Sequence, residues 1–168
     1  MIETDRLLLK PLTYNQLIKY VKTDGSLEKE LMLNDAPRVI SPELKEALEQ
    51  TILPSVSDPT KNYLFSTLWT IILREQNRMV GDLCFIGEPN ENGEIEIGYG
   101  TYEEFKGKGF MTEALKGMVR WAKNQPGVKS IFASTDKDNI ASFSVLERNN
   151  FIRVDETETM FSWRLKFC

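Results

Sequence analysis

Two glutamates and a glycine turn carry the most suggestive chemistry in this chain. Glu94 and Glu96 stand two apart in a stretch that reads as a strand, so both side chains project from one face. Phe105-Lys106-Gly107-Lys108-Gly109-Phe110-Met111 follows and leads into an apolar-periodic segment. Glycines between a strand and a helix let the backbone turn sharply and approach a ligand closely. The free N–H groups of the first helical turn, with the helix dipole, favour an anion there. Lys106 and Lys108 add positive charge. The chain has no histidine. That excludes a Ser-His-Asp triad, a Cys-His pair and an imidazole-liganded zinc site. Proton transfer near neutral pH then falls to carboxylates, Lys, Tyr or Cys.

Two phosphate-binding motifs are excluded by position. A P-loop needs glycine at 102 and Ser or Thr at 109, where Tyr102 and Gly109 stand; a dinucleotide GxGxxG beginning at Gly107 fails at Thr112. Cys84 and Cys168 are too few and too far apart for a CxxC pair or a four-cysteine zinc site. A reducing compartment is the simpler reading.

The elements that must hold these residues follow from pattern. Arg6 to Leu12 reads as a strand, and segments near 13–23 and 41–53 as helices, the second opened by Ser41-Pro42-Glu43 and closed by Pro54 and Pro59. Leu64–Arg74, Met79–Phe85 and Glu94–Thr101 read as strands. Met111, Ala114, Leu115, Met118 and Ala122 recur at helical spacing, and Pro126-Gly127 ends that helix. A strand from Val128 to Ser134 comes next, then a helix capped near Asn139 and ending at Asn149-Asn150. Strands near 151–154 and 159–167 complete an α/β (α+β) domain with a mixed sheet. Trp69, Phe85, Trp121 and Phe132 are expected in the core, and Asp155 to Glu158 in an exposed turn.

With 168 residues, 41% hydrophobic and 27% charged, one domain spanning 1–168 is expected. A net charge of -4 argues against a general nucleic-acid binder. No apolar run reaches the roughly 20 residues a membrane helix needs. The opening MIETDRLLLK carries charges within its first six residues, so a cytoplasmic location is expected.

Glu96-Ile97-Gly98-Tyr99, then Gly107-Lys108-Gly109-Phe110-Met111-Thr112-Glu113-Ala114, resembles the acetyl-CoA signature of the GNAT N-acetyltransferases. The resemblance is greatest to the branch that includes the bacterial ribosomal-protein N-terminal acetyltransferases (RimJ/RimL-like). Thr4 to Leu12 is similar to that branch's opening strand, and Asn139-Ile140-Ala141-Ser142 with Val145-Leu146-Glu147 and Asn150-Phe151 resembles its helix near the thioester. Lys106 stands where the family turn usually begins with Gln or Arg, Asn150 replaces a glycine, and Leu146 replaces a tyrosine general acid of many relatives.

The resemblance implies a mostly antiparallel sheet of about seven strands flanked by about four helices. It implies acetyl-CoA bound by Thr101, Tyr102, Lys106, Gly107, Lys108, Gly109, Phe110, Met111, Asn139 and Ser142. The Thr101 N–H would polarise the thioester carbonyl, Glu96 or Glu94 would accept the proton of an amine acceptor, and Ser142 could donate to the departing sulfur. No metal is expected, and the oligomeric state stays open between monomer and homodimer. The acceptor stays open between a protein N-terminus and a small metabolite or antibiotic amine. A non-catalytic acyl-CoA-binding module is the rival from another class.

Overall fold

A computed structural model describes residues 1–167; Cys168, and any pairing of it with Cys84, lies outside the described residues. The strands are β1 (Ile2–Glu3), β2 (Leu7–Pro11), β3 (Leu68–Leu73), β4 (Arg78–Phe85), β5 (Glu94–Thr101), β6 (Ser130–Asp136), β7 (Ile152–Glu156) and β8 (Met160–Lys166). They form one sheet in the order β1-β2-β3-β4-β5-β6-β8-β7. Every neighbouring pair is antiparallel except β5 with β6. The eighth strand is the one that the sequence pattern does not signal. Ile2 and Glu3 pair with Leu9 and Leu8 at the sheet edge. Their close seating on a helix explains a glycine there: a Cβ at Gly117 would lie 3.0 Å from Thr4 and 3.4 Å from Ile2.

Helices cover both faces. Those that cover one face are α1 (Tyr14–Lys22), α2 (Ser26–Glu30), α3 (Pro42–Ala47) and α4 (Leu53–Ser57). They bury Leu17, Tyr20, Leu27 and Leu48 against Leu12, Leu68, Ile72 and Met79. The other face carries α5 (Phe110–Lys123) and α6 (Ile140–Arg148). There Ala114, Leu115, Met118 and Leu146 meet Leu7, Leu9, Ile71, Ile95 and Ile97. Trp69 and Phe85 are buried as expected, whereas Trp121 and Phe132 are only half-buried. Pro54 does not close its helix. The chain stays helical to Ser57, because Leu48–Ile52 widen into a π turn ahead of Pro54, which then sits in the first turn of α4 where no N–H is needed. Only Leu68–Leu73 of the segment read as a strand from Leu64 pairs in the sheet, after a tight turn over Tyr63–Phe65.

A polar network is enclosed beneath α1 and α2. Tyr20 and Tyr102 donate their hydroxyls to Asp82 Oδ2 at 2.5 and 2.9 Å. Burial nevertheless pushes the Asp82 carboxyl up to about 6. Arg38 pairs with Glu28, both buried, donates to the Tyr20 carbonyl at 2.7 Å, and lies 4.4 Å over the Tyr20 ring. Removing one member of a buried ion pair strands the other and costs about 3–5 kcal/mol. Urea denaturation of Arg38→Met is therefore expected to show a loss of that order, with most of it recovered when Glu28→Gln is added. Additive losses in the double variant would show that the two side chains are not energetically coupled.

Candidate active site

The site begins with a parting of strands. β5 pairs with β4 from Ile97 to Thr101, but with β6 only through Glu94, Ile95 and Glu96. Beyond Glu96 one edge of β5 has no strand beside it. The Ile86 N–H donates to the Glu96 carbonyl at 2.8 Å and the Tyr102 N–H to Val80 at 2.9 Å. In an antiparallel ladder such pairs alternate with residues whose N–H and C=O point away. The backbone groups of Ile97, Tyr99 and Thr101 thus face the parting.

The glycine turn lies at the end of this edge. Gly107 and Gly109 take φ of 77° and 79°, a left-handed geometry that favours glycine, and α5 starts directly after them. Strand β2's approach holds the turn in place. Arg6 Nε pairs with Glu113 at 2.7 Å, Arg6 NH1 donates to the Lys108 carbonyl at 3.2 Å, and the Thr4 hydroxyl also donates to Glu113. Parting and turn share one cleft of about 480 Å³, walled by Tyr99–Thr101 on β5, by Phe110–Thr112 on α5, and by Asn139, Ser142 and Arg148 on α6.

Thr101, Lys106, Gly107, Gly109, Phe110, Met111, Asn139 and Ser142 all line this cleft. Glu94 and Glu96 do not, and two of the expected acetyl-CoA contacts do not. Tyr102 turns its side chain to Asp82 on the opposite face, and Lys108 places its ammonium 5.8 Å from the Phe105 ring while only its carbonyl serves the turn. Lys106 is paired with Glu103 at 2.9 Å. Asn139 caps α6, its Oδ1 accepting from the Ser142 N–H at 3.1 Å. Sequence reasoning missed Tyr99. Its hydroxyl donates to the Ser142 carbonyl at 2.7 Å and lies 3.4 Å from the Ser142 hydroxyl. Its odd position on the strand of Glu96 was the available signal, since odd residues there face the α5–α6 side. Burial pushes Tyr99 up to about 12, so it keeps its proton.

The two glutamates have opposite surroundings. Glu94 accepts from Arg164 at 2.6 and 3.1 Å and from the Ser130 hydroxyl at 2.7 Å. The Arg164 hydrogen bonds hold its carboxyl below the usual glutamate value. Glu96 has burial against it first and the Glu94 charge second, and both raise it. Cys84, on the same face, is pushed up to about 11 by burial, which suits an inert thiol.

The chain belongs to the GNAT acetyltransferase family, whose domain model matches residues 6–152. It is 31% identical over 154 residues to the N-acetyltransferase YjdG of Bacillus subtilis (strain 168), covering 90% of this chain and 89% of that one. Its fold is similar to RimL, the ribosomal L7/L12 alpha-N-protein acetyltransferase, in complex with coenzyme A (TM-score 0.68, 19% identity, 97% of this chain and 95% of that one). It is also similar to the Salmonella typhimurium acetyltransferase described as modifying the N-terminal serine of L7/L12 (TM-score 0.65, 18% identity, 98% and 97% covered).

The left-handed turn offers a direct test. Gly109→Val must strain φ at the start of α5, and its Cβ would come within 3.5 Å of Arg6. Calorimetric titration is expected to show acetyl-CoA binding at least about tenfold weaker, or about 1.4 kcal/mol. Unchanged affinity would remove the turn from the binding site.

Proposed function

We propose that this chain transfers an acetyl group from acetyl-CoA to a primary amine by direct attack in a ternary complex. The observation that carries the reading is the parting beyond Glu96, with backbone donors on its edge and a carboxylate of raised pKa at its base. The Gly107–Met111 turn takes the pyrophosphate, and the Tyr99–Thr101 edge takes the extended arm that carries the thioester. The Thr101 N–H donates to the thioester carbonyl and to the oxyanion that forms from it. Asn139 stands at the head of α6 to meet the same arm.

Glu96 is the proton acceptor in this reading. Its carboxylate faces away from the cleft wall of Tyr99, on the sheet face where α1–α4 cover β2–β4 and where Ser134 on β6 is exposed. An acceptor amine entering over that face loses a proton to Glu96, directly or through a water, and its nitrogen bonds to the carbonyl carbon. The carbon–sulfur bond then breaks, and the departing sulfur takes up, directly or through a hydroxyl, the second proton that the nitrogen releases as it becomes the amide. Glu94 is committed to Arg164 and holds its proton less readily, which favours Glu96 over it. Leu146 is fully buried and offers no proton to the departing sulfur. Ser142, one of several hydroxyls lining the cleft, would donate one in this reading, and a thiol of pKa about 8.5 also leaves unaided as thiolate. The N-terminal specificity described for RimL supports a protein N-terminus as the acceptor.

Release of free CoA thiol is the assay, run over N-terminal peptides and small amines. Turnover on a peptide terminus supports the reading; turnover confined to small amines would transfer the chain to metabolite acetylation. Stabilisation by acetyl-CoA with no release on any acceptor would favour the binding module. Glu96→Gln is expected to lower kcat at pH 7 by about 10²–10⁴-fold, the usual contribution of a positioned base, with little change in acetyl-CoA affinity. In the wild type kcat should rise with pH through the raised Glu96 pKa, because only the carboxylate accepts a proton. That acidic limb should vanish in the variant. Retention of the limb would assign it to another group.

A further inference from the structure

The Thr101 N–H sits on thinly supported backbone. From Ile97 to Thr101, β5 is held by β4 alone, and Gly98 and Gly100 within that stretch give it little stiffness of its own. A short turn over Glu103–Phe105 follows at once. What fixes Thr101 is a bracket on β4 formed by Val80, Gly81 and Asp82. The Val80 carbonyl accepts from the Tyr102 N–H at 2.9 Å. Gly81 stands opposite Thr101 and lets β4 come in close: a Cβ there would lie 2.5 Å from the Gly100 carbonyl oxygen and 3.2 Å from Thr101 Cα. Asp82 Oδ2 accepts from the Tyr102 hydroxyl at 2.9 Å. Tyr102, the residue after the donor, is thereby held by both its main chain and its side chain.

Asp82 is buried, and burial works against its charge, so packing alone would not select an acid there. Its carboxylate also receives the Tyr20 hydroxyl from α1 at 2.5 Å. Arg38 lies over the Tyr20 ring and pairs with the buried Glu28 of α2. The bracket is thus anchored to the helices on the acceptor face rather than to the cleft.

We propose that Asp82 is a positioning residue: through the Tyr102 hydroxyl it holds the Thr101 N–H in line with the thioester carbonyl, with no contact of its own to either substrate. The inference rests on the acetyl-transfer reading above. A misplacement of about 1 Å can cost about a hundredfold in rate. The carbonyl oxygen gains its full charge only in the transition state, so a loosened donor lowers kcat far more than it weakens the bound thioester. In that reading acetyl-CoA is held mainly by the Gly107–Met111 turn and α6, and neither hydrogen-bonds to the Tyr102 hydroxyl or the Asp82 carboxylate.

Three variants test this. Tyr102→Phe removes one hydroxyl and keeps the ring, Asp82→Asn keeps an acceptor oxygen for that hydroxyl, and Asp82→Val removes it. Thiol-release kinetics, calorimetric titration with acetyl-CoA and thermal unfolding are compared with the wild type. Tyr102→Phe is expected to lower kcat by about tenfold to a hundredfold, with the acetyl-CoA Kd and the acceptor KM within about twofold. Asp82→Val should lose as much, and Asp82→Asn should stay within about threefold of the wild-type kcat. A lower unfolding temperature with unchanged kcat in Tyr102→Phe would make the contact structural only and overturn the proposal; this variant carries the test should Asp82→Val not fold. A loss expressed in the acetyl-CoA Kd instead of kcat would overturn it equally, by assigning Tyr102 to donor binding. Wild-type kcat in Asp82→Val would remove Asp82 as the anchor, and Asp82→Asn as slow as Asp82→Val would overturn hydrogen-bond acceptance as its role. Absence of thiol release by the wild type on every acceptor would overturn the transfer reading itself, whereas wild-type turnover that Tyr102→Phe retains in full would overturn the bracket alone.

Discussion

The site depends on β5 being bound on both edges at its start and on one edge at its end. Three register pairs with β6, through Glu96, make it a central strand; from Ile97 to Thr101 it is held by β4 alone. Backbone groups left unmatched in a protein interior cost about 1–3 kcal/mol each, so this edge must meet water or a ligand. The wall opposite is α6, tied across the gap by the Tyr99 hydroxyl on the Ser142 carbonyl. The other face of the same stretch is kept bare by glycines. A Cβ at Gly98 would find only the Cys84 sulfur at 3.8 Å, and one at Gly100 would find nothing within 4 Å. In the proposed reaction one side of this strand meets the acetyl donor and the other the acceptor amine.

The glycine turn depends on a contact far away in sequence. Glu113 sits in the first turn of α5, where a carboxylate is stabilised by the dipole but would compete with a bound anion. Burial works to raise its pKa, yet hydrogen bonds from Thr4 and Arg6 outweigh burial and hold it below the usual value. Its charge is thereby answered from the side of β1 and β2. Arg6 also lies 4.7 Å over the Phe110 ring and donates to the Lys108 carbonyl. One arginine therefore neutralises a competitor, packs on the first helical residue and fixes the turn. This joins the opening strand to the turn, two segments that stand about a hundred residues apart.

What could be read in the sequence was local. The α5 face, the turn, the Asn139 cap and the left-handed Asn150 (φ 68°) each depend on residues within one or two turns of each other. The two-residue β1 and five-residue α2 lack the length for a periodic signal, and both are placed by tertiary contacts: β1 by α5, and α2 by the Glu28–Arg38 pair. The π turn ahead of Pro54 is an accommodation that no propensity reports. Lys108 and Tyr102 stood correctly beside the turn and the parting, but which way each side chain points was decided by Phe105 and by Asp82. Glu94 could not be told from Glu96, because its partner Arg164 lies 70 residues away and reaches it across β6.

That one ion pair makes the two glutamates unequal, and it bears on how a chain without histidine could run base chemistry near neutral pH. An isolated Glu titrates near 4.3 and is a weak acceptor at pH 7. Arg164 keeps Glu94 charged by direct hydrogen bonds, and that charge lies on the same strand face as Glu96. Glu96, already lifted by burial, is lifted further by its charged neighbour. Like charges close together push the weaker acid upward. In the proposed reaction Arg164 and Glu94 would never touch substrate, but would set the basicity of the residue that takes the proton. Position 96 also falls at the last register pair before the strands part, so the carboxylate whose environment raises its pKa stands at the base of the exposed edge. In the proposed reaction the break in pairing that frees the backbone of Thr101 begins at Glu96, the residue that would take the proton, and an imidazole is not required.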